Sequence, residues 1–226
     1  MAENQYGFPT EVLSLPSKGL LYPEDSPLRS GTIDVKYMTA KEEDILTSTN
    51  LIEQGVVITR LLESVIANSK VKLDNMLIGD KNAIMVGTRI LGYGANYEIS
   101  LVDPDTNERV EHTVDLSKLN NKKIDEKLFE NGNNFEFELP NSKRIVGFKL
   151  LTHGDESEIE NTLKEFEKVE KLTGVSYSLT TRLKHQIVSI DGNTDQKEID
   201  KFVDNEFLAL DTRAYRKHLD EITPDI

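Results

Sequence analysis

Hydrophobic spacing changes several times along this chain, and each change marks an element. Ile33, Val35 and Tyr37 alternate with polar residues, which predicts a strand. Thr39 and Glu42 then give the Thr-x-x-Glu spacing of a capping box, so a helix is expected from about Ala40. Between 51 and 67 the apolar residues, among them Leu51, Val56, Leu61, Leu62 and Val65, cover a wide face. That predicts one helix at the centre of the core, weakened but not forbidden by Gly55. Gly79-Asp80 reads as a helix start continuing to Leu91 and ending at Gly92 and Gly94. Tyr97, Ile99 and Leu101 alternate again, a polar turn follows at 103–108, and the apolar positions resume at Val110, which predicts a hairpin over 96–116. Phe135, Phe137 and Leu139 form the next strand, and 144–151 its more continuously apolar partner. From Thr152 the period becomes helical: Ile159, Leu163, Phe166, Val169 and Leu172 make one stripe that Gly174 ends. Further helices are expected over 179–190, from Asp195 to Phe202 and over 210–222.

This order is not an alternating β-α-β chain. It predicts an α+β fold: a small antiparallel or mixed β-sheet, a helical core and an all-helical C-terminal third. The corresponding division is an N-terminal arm over 1–14, an α+β domain over 15–151 that carries the hairpin, and a helical region over 152–226.

One stretch is echoed. Before Thr39 lie a Leu-Pro turn (Leu15-Pro16-Ser17) and an apolar strand; after it comes an acidic helix start (Glu42, Glu43, Asp44). Before Thr152 lie Leu139-Pro140-Asn141 and another apolar strand, and after it Asp155 and Glu156. A threonine oxygen satisfies orphan N–H groups at a helix start, and carboxylates suit its positive end. The echo reads either as two related strand-to-helix units, paired about a pseudo-twofold, or as the ordinary grammar of helix starts.

Composition narrows the function. Among 226 residues, 40 acids against 27 bases give a formal charge of −13, without the basic footprint of a general nucleic-acid binder. Cysteine is absent, which excludes disulfides, thiolate zinc sites and thiol nucleophiles. The N-terminal residues lack the basic and apolar regions of a signal peptide, and no apolar run approaches the roughly 20 residues of a membrane helix. The expectation is a soluble protein made in a cytoplasm.

Catalytic patterns are missing. His112, His153, His185 and His218 never stand at i, i+4 spacing, and no phosphate-binding loop or nucleophile elbow occurs. Asp103, Asp105 and Asn107 open like a calcium loop, but Glu108 and Val114 occupy the positions that need Gly and a bidentate Glu, so a polar hairpin turn is expected instead. Arg89, inside an apolar helix stretch, reads as a partly buried ion pair or as a snorkelling surface side chain. The helix after Thr152 holds seven acids between 155 and 170 on a strongly negative face, which suits a solvated surface or a basic partner. No cofactor and no metal are expected, and the chain is expected not to be an enzyme.

Several segments in order carry a resemblance: LPSKGLLY from Leu15 to Tyr22, the strand-Thr-acid stretch to Leu46, LIGDKNAIMVGTRILGYGANYEI over 77–99, VDLSKL over 114–119, ELPNSKRIVGFKLLTHGDESEI over 138–159 and the closing DTRAYRKHLDEITPDI. Together these resemble the baseplate protein family of T-even-type contractile-tailed bacteriophages. The resemblance implies a structural or assembly component of the hub or wedge region of a tail baseplate, located in the virion and acting through contacts with other tail proteins, with copies of itself among the candidates. It also admits an assembly chaperone absent from the finished particle. A cell-wall hydrolase is the alternative of another class. Some relatives carry a cysteine pair resembling a zinc knuckle after the Tyr-Gly segment; here that place reads VDPDTNE. Some relatives also continue beyond the Pro-Asp-Ile ending. The expected partner contacts are Leu15, Pro16, Leu20, Leu21 and Tyr22, in an extended segment docked on a sheet or a neighbour.

Overall fold

The structure, a computed structural model, describes residues 7–226. Of the expected N-terminal arm, residues 1–6 lie outside the described residues, and Thr10–Ser14 form strand β1. It pairs antiparallel with β2 (Thr32–Lys36). Next come α1 (Ala40–Leu46), α2 (Thr49–Glu53), α3 (Val57–Val65), a 3-10 turn (Leu73–Asn75) and α4 (Ile78–Tyr93). Strands β3 (Asn96–Val102) and β4 (Arg109–Asp115) form a hairpin. After two short 3-10 turns, β5 (Phe135–Glu138), β6 (Ile145–Phe148) and β7 (Ile187–Ile190) make a three-stranded antiparallel sheet. Helices α5 (His153–Thr173) and α6 (Ser178–Gln186) lie between β6 and β7; α7 (Gln196–Asn205) and α8 (Ala209–Ile222) follow. The class is α+β.

Two expected helices are shorter in the structure. The continuous helix over 51–67 is broken into α2 and α3, because Gly55 between them adopts φ +71. The helix expected over 179–190 stops at Gln186. Residues 187–190, rich in β-branched side chains, extend and pair with β6, so the C-terminal third is helical except for β7.

The echo is structural as well. Residues 10–93 and 135–222 pass through the same sequence of events. Each unit opens with an antiparallel hairpin, β1–β2 or β5–β6, whose turn begins Leu-Pro and contains a lysine in the left-handed region, Lys18 (φ 53) or Lys143 (φ 60). A threonine then caps the first helix through a complete capping box, Thr39 with Glu42 and Thr152 with Asp155. A later helix, α3 or α6, ends in an extended isoleucine, Ile66 or Ile187, that lies antiparallel beside the second strand of the hairpin, while α2 has no counterpart in the second unit and α7 none in the first beyond the 3-10 turn at Leu73–Asn75. A closing helix, α4 or α8, follows an extended leucine: Leu77 (φ −62, ψ 146) or Leu208 (φ −59, ψ 142). The hairpin β3–β4 and the residues up to 134 are inserted between the units.

A seam joins the units. Leu77 forms an isolated antiparallel bridge with Thr152. The His153 N–H donates to the Met76 carbonyl at 2.8 Å, and the Ile78 N–H to the Leu151 carbonyl at 3.3 Å. One hydrophobic core runs through both units, from Leu15, Val35 and Leu62 to Phe148, Ile187 and Tyr215.

Candidate functional site

The Leu15–Tyr22 segment is a chain of tight turns rather than an extended arm, and a single carboxylate organises it. Asp80, fully buried in the first turn of α4, accepts from the Ser17 N–H at 2.9 Å, the Ser17 hydroxyl at 2.6 Å and the Tyr22 hydroxyl at 2.6 Å. The same Tyr22 oxygen accepts from the Leu77 N–H at 2.9 Å, so it ties the loop to the start of the helix. Gly19 faces Gly31 here at φ +77; a Cβ on it would lie 2.4 Å from the Arg29 carbonyl oxygen, so no larger residue fits this turn. Of the five residues expected to meet a partner, Leu15, Pro16, Leu21 and Tyr22 are buried within this chain, and Leu20 is half-buried. Their apolar surface serves the chain's own core, because Asp80 pulls the loop inward.

The second unit repeats this lock with other donors. Asp211, fully buried in the first turn of α8, accepts from the Asn141 N–H at 2.8 Å, the Asn141 side-chain amide at 2.9 Å and the Ser142 N–H at 3.0 Å. Burial alone would raise its pKa, but the Asn141 and Ser142 donors hold it below the ordinary aspartate value. At Asp80 the balance is reversed, and burial raises the pKa in spite of the Ser17 and Tyr22 donors. Burial and the facing carboxylate push the Tyr22 phenol far up, so it stays a donor.

The capping acids respond to pH with a definite sign. Burial works against the charged form of Glu42, yet the Ser64 and Thr39 hydroxyls and the Thr39 N–H bring its pKa from 4.5 down to about 2. Asp155 is lowered as well: burial opposes its charge, but Lys149 and Thr152 outweigh it. A folded-state pKa below the unfolded one gives stability that is full above the unfolded value and lost as pH falls through the folded value. The thermal midpoint is therefore expected to drop as pH falls from 4.5 toward 2, and Glu42→Gln is expected to flatten that limb. A midpoint independent of pH over this range would contradict the assignment; calorimetry at several pH values measures it.

A groove of about 940 Å³ lies between α5, α6 and α7. Most of its charged groups are paired with one another, Lys149 with Asp155 at 2.6 Å, Lys184 with Asp204 at 2.7 Å and His185 with Glu158 at 3.7 Å, while Asp200 accepts from the Gln196 side-chain amide. His153 is buried between Lys81 and Thr59, and His218 stacks on Phe137 with ring centroids 4.6 Å apart. The Asp103 carboxylate accepts from the Asp105 and Thr106 N–H groups, so the calcium-like sequence is an ordinary turn.

Among the described residues, apolar side chains stay exposed on the hairpin and at the end of α5. In the hairpin register, Tyr97 faces Val114, Ile99 faces His112 and Leu101 faces Val110, so these six share one side. Tyr97, Leu101, Val110 and Val114 are all exposed. A hairpin of two strands is marginal in water without a second layer. Arg89 supplies part of one by stacking over Tyr93 and Tyr97 and donating to the Gly94 carbonyl, so it is neither an ion pair nor free in solvent. The second surface is the far end of α5. The stripe that begins at fully buried Ile159 runs out past the core, leaving Val169 and Leu172 exposed, Leu172 at 87%.

The family model described as T4 bacteriophage base plate protein matches residues 14–214. The chain belongs to that family, and is a baseplate protein of the T4 type. No curated protein and no solved structure matches it. Among the described residues no helix is long and apolar enough to cross a membrane.

Proposed function

We propose that this protein is a non-catalytic building or assembly component of the hub or wedge region of the baseplate, working through contacts with neighbouring tail proteins in a virion assembled in the host cytoplasm. The observation that carries the reading is the hairpin with one apolar face bare. Exposed side chains such as Leu101 and Val110 on a two-stranded ribbon are stable in a tail only against a partner's surface. The pairing of most charged groups in the groove between α5, α6 and α7 supports a role without chemistry.

Mass spectrometry of purified virions tests this. The chain is expected among the tail proteins, in stoichiometric amount. Its presence in infected-cell lysate bound to tail proteins, with absence from virions, would make it an assembly chaperone. Failure to associate with any tail protein in either sample would sink the proposal.

A further inference from the structure

The seam between the two units is one-sided. The approach to the closing helix of unit 1, at Met76–Ile78, pairs with the start of the first helix of unit 2, at Leu151–His153. Because the units repeat, each carries both halves of such a contact. Two halves are used inside the chain and two remain: the approach to α8 at 207–209, and the start of α1 at 38–40.

Both remaining halves have the backbone shape of their counterparts. Leu208 matches Leu77 in φ and ψ to within a few degrees. Thr39 (φ −121, ψ 179) is extended like Thr152 (φ −94, ψ 173), and both sit in the same capping box. What differs is cover. Leu77 is 4% exposed and Leu208 is 52% exposed; His153 is buried, whereas Ala40 is exposed. Among the described residues, 207–209 make no pairing with 38–40 within the chain.

We propose that copies of this chain join head to tail by repeating the internal seam between molecules. The Ala40 N–H of one copy donates to the Phe207 carbonyl of the next, and the Ala209 N–H returns a bond to the Met38 carbonyl, as His153 and Ile78 do inside the chain. Leu208 is then covered as Leu77 is. Gly79 lies beneath the Pro224 carbonyl, where a Cβ would come within 1.9 Å of its oxygen; Leu210, 67% exposed, holds the equivalent place, so the seam between copies must stand wider there than the seam inside the chain. Such a contact joins two different surfaces, so it builds a ring when the rotation closes and a filament when it does not, and never a simple twofold dimer. The charge of −13 opposes association at low ionic strength and is screened at physiological salt.

Covalent trapping tests the proposal, and the absence of native cysteine makes it clean. Leu77 and Thr152 are a non-hydrogen-bonded antiparallel pair, whose Cα atoms lie about 4.5 Å apart. That spacing is within reach of a disulfide. The double variant Thr39→Cys/Leu208→Cys, purified at full length and oxidised, is expected to run as a ladder of multimers on a non-reducing gel and to collapse with reductant. Either single variant stops at dimers. Leu77→Cys/Thr152→Cys closes within one chain and reports that the geometry and oxidation conditions suffice. If the first pair stays monomeric where the second closes, the proposal is overturned. Light scattering gives an independent arm. Ala40→Pro keeps the helix, because proline suits the first helical position, but deletes the donor. Self-association is expected to weaken by about fivefold or more. Association at wild-type strength in a folded Ala40→Pro variant also overturns it. The purified chain alone suffices for both arms, so their outcome is separate from whether virions contain the protein.

Discussion

Asp80→Ala is expected to unfold the first unit's loop and to cost about 3–5 kcal/mol. The carboxylate is fully buried and accepts three hydrogen bonds, from the Ser17 N–H, the Ser17 hydroxyl and the Tyr22 hydroxyl. Removal leaves all three donors buried without an acceptor, and each such group costs about 1–3 kcal/mol before the structure relaxes. The relaxation is limited because the turn is closed by backbone: the Leu15 N–H donates to the Gly31 carbonyl, and Gly19 packs on the Arg29 carbonyl without room to shift. Asp80→Asn retains one acceptor but turns an amide toward the donors, so its loss is expected to be intermediate. Tyr22→Phe removes one bond to Asp80 and the acceptor of the Leu77 N–H, for about 1–2 kcal/mol. Urea denaturation of the three variants orders them Ala, Asn, Phe. A near-wild-type midpoint for Asp80→Ala would mean that water replaces the carboxylate without penalty, and the lock would be ornamental.

Phe148→Ala is expected to be comparably severe, and in the second unit. Its ring is fully buried at the centre of the β5–β6–β7 sheet, stacked on Phe135 at 5.4 Å and edge-on to Tyr215 at 5.2 Å. Truncation removes the transfer free energy of the ring and leaves a cavity whose walls are strands and α8, for about 3–5 kcal/mol. Phe148→Leu fills most of that volume and is expected to recover more than half of the loss. Since the two units share one core, denaturation is expected to remain a single transition in both variants. A second transition confined to Phe148→Ala would show that the units unfold separately.

What the sequence disclosed depended on distance along the chain. Both capping boxes were legible, because threonine and acid stand three residues apart and the chemistry is local. The hairpin, though not its register, followed from alternation at Tyr97, Ile99 and Leu101. The two locks escaped because Asp80 lies 63 residues from Ser17, and Asp211 lies 70 from Asn141. A signal existed: Leu77-x-x-Asp80-x-x-Ala83 and Leu208-x-x-Asp211-x-x-Ala214 share a pattern, and each aspartate sits where a helix start would read it as a capping acid. The burial of Leu15, Leu21 and Tyr22 was hidden for the same reason. Apolar residues in a turn-rich segment look available to a partner until the carboxylate that draws them inward is known. Residues 187–190 were ambiguous in principle, since four apolar-rich residues after a helix read equally as its last turn or as a short strand.

The seam at Thr152 also sets an order of events during synthesis. All residues of the first lock precede α5, so unit 1 can close its hairpin and bind Asp80 as soon as α4 has emerged. Its Leu77 stays uncovered until Thr152 arrives, and the whole inserted hairpin is translated in between. At ~5–20 residues per second that interval lasts roughly three to twelve seconds. For that time a nascent chain displays the approach to its closing helix, on the ribosome and beside chains at the same stage. Whatever occupies Leu77 first decides whether the molecule completes itself or is captured by a neighbour.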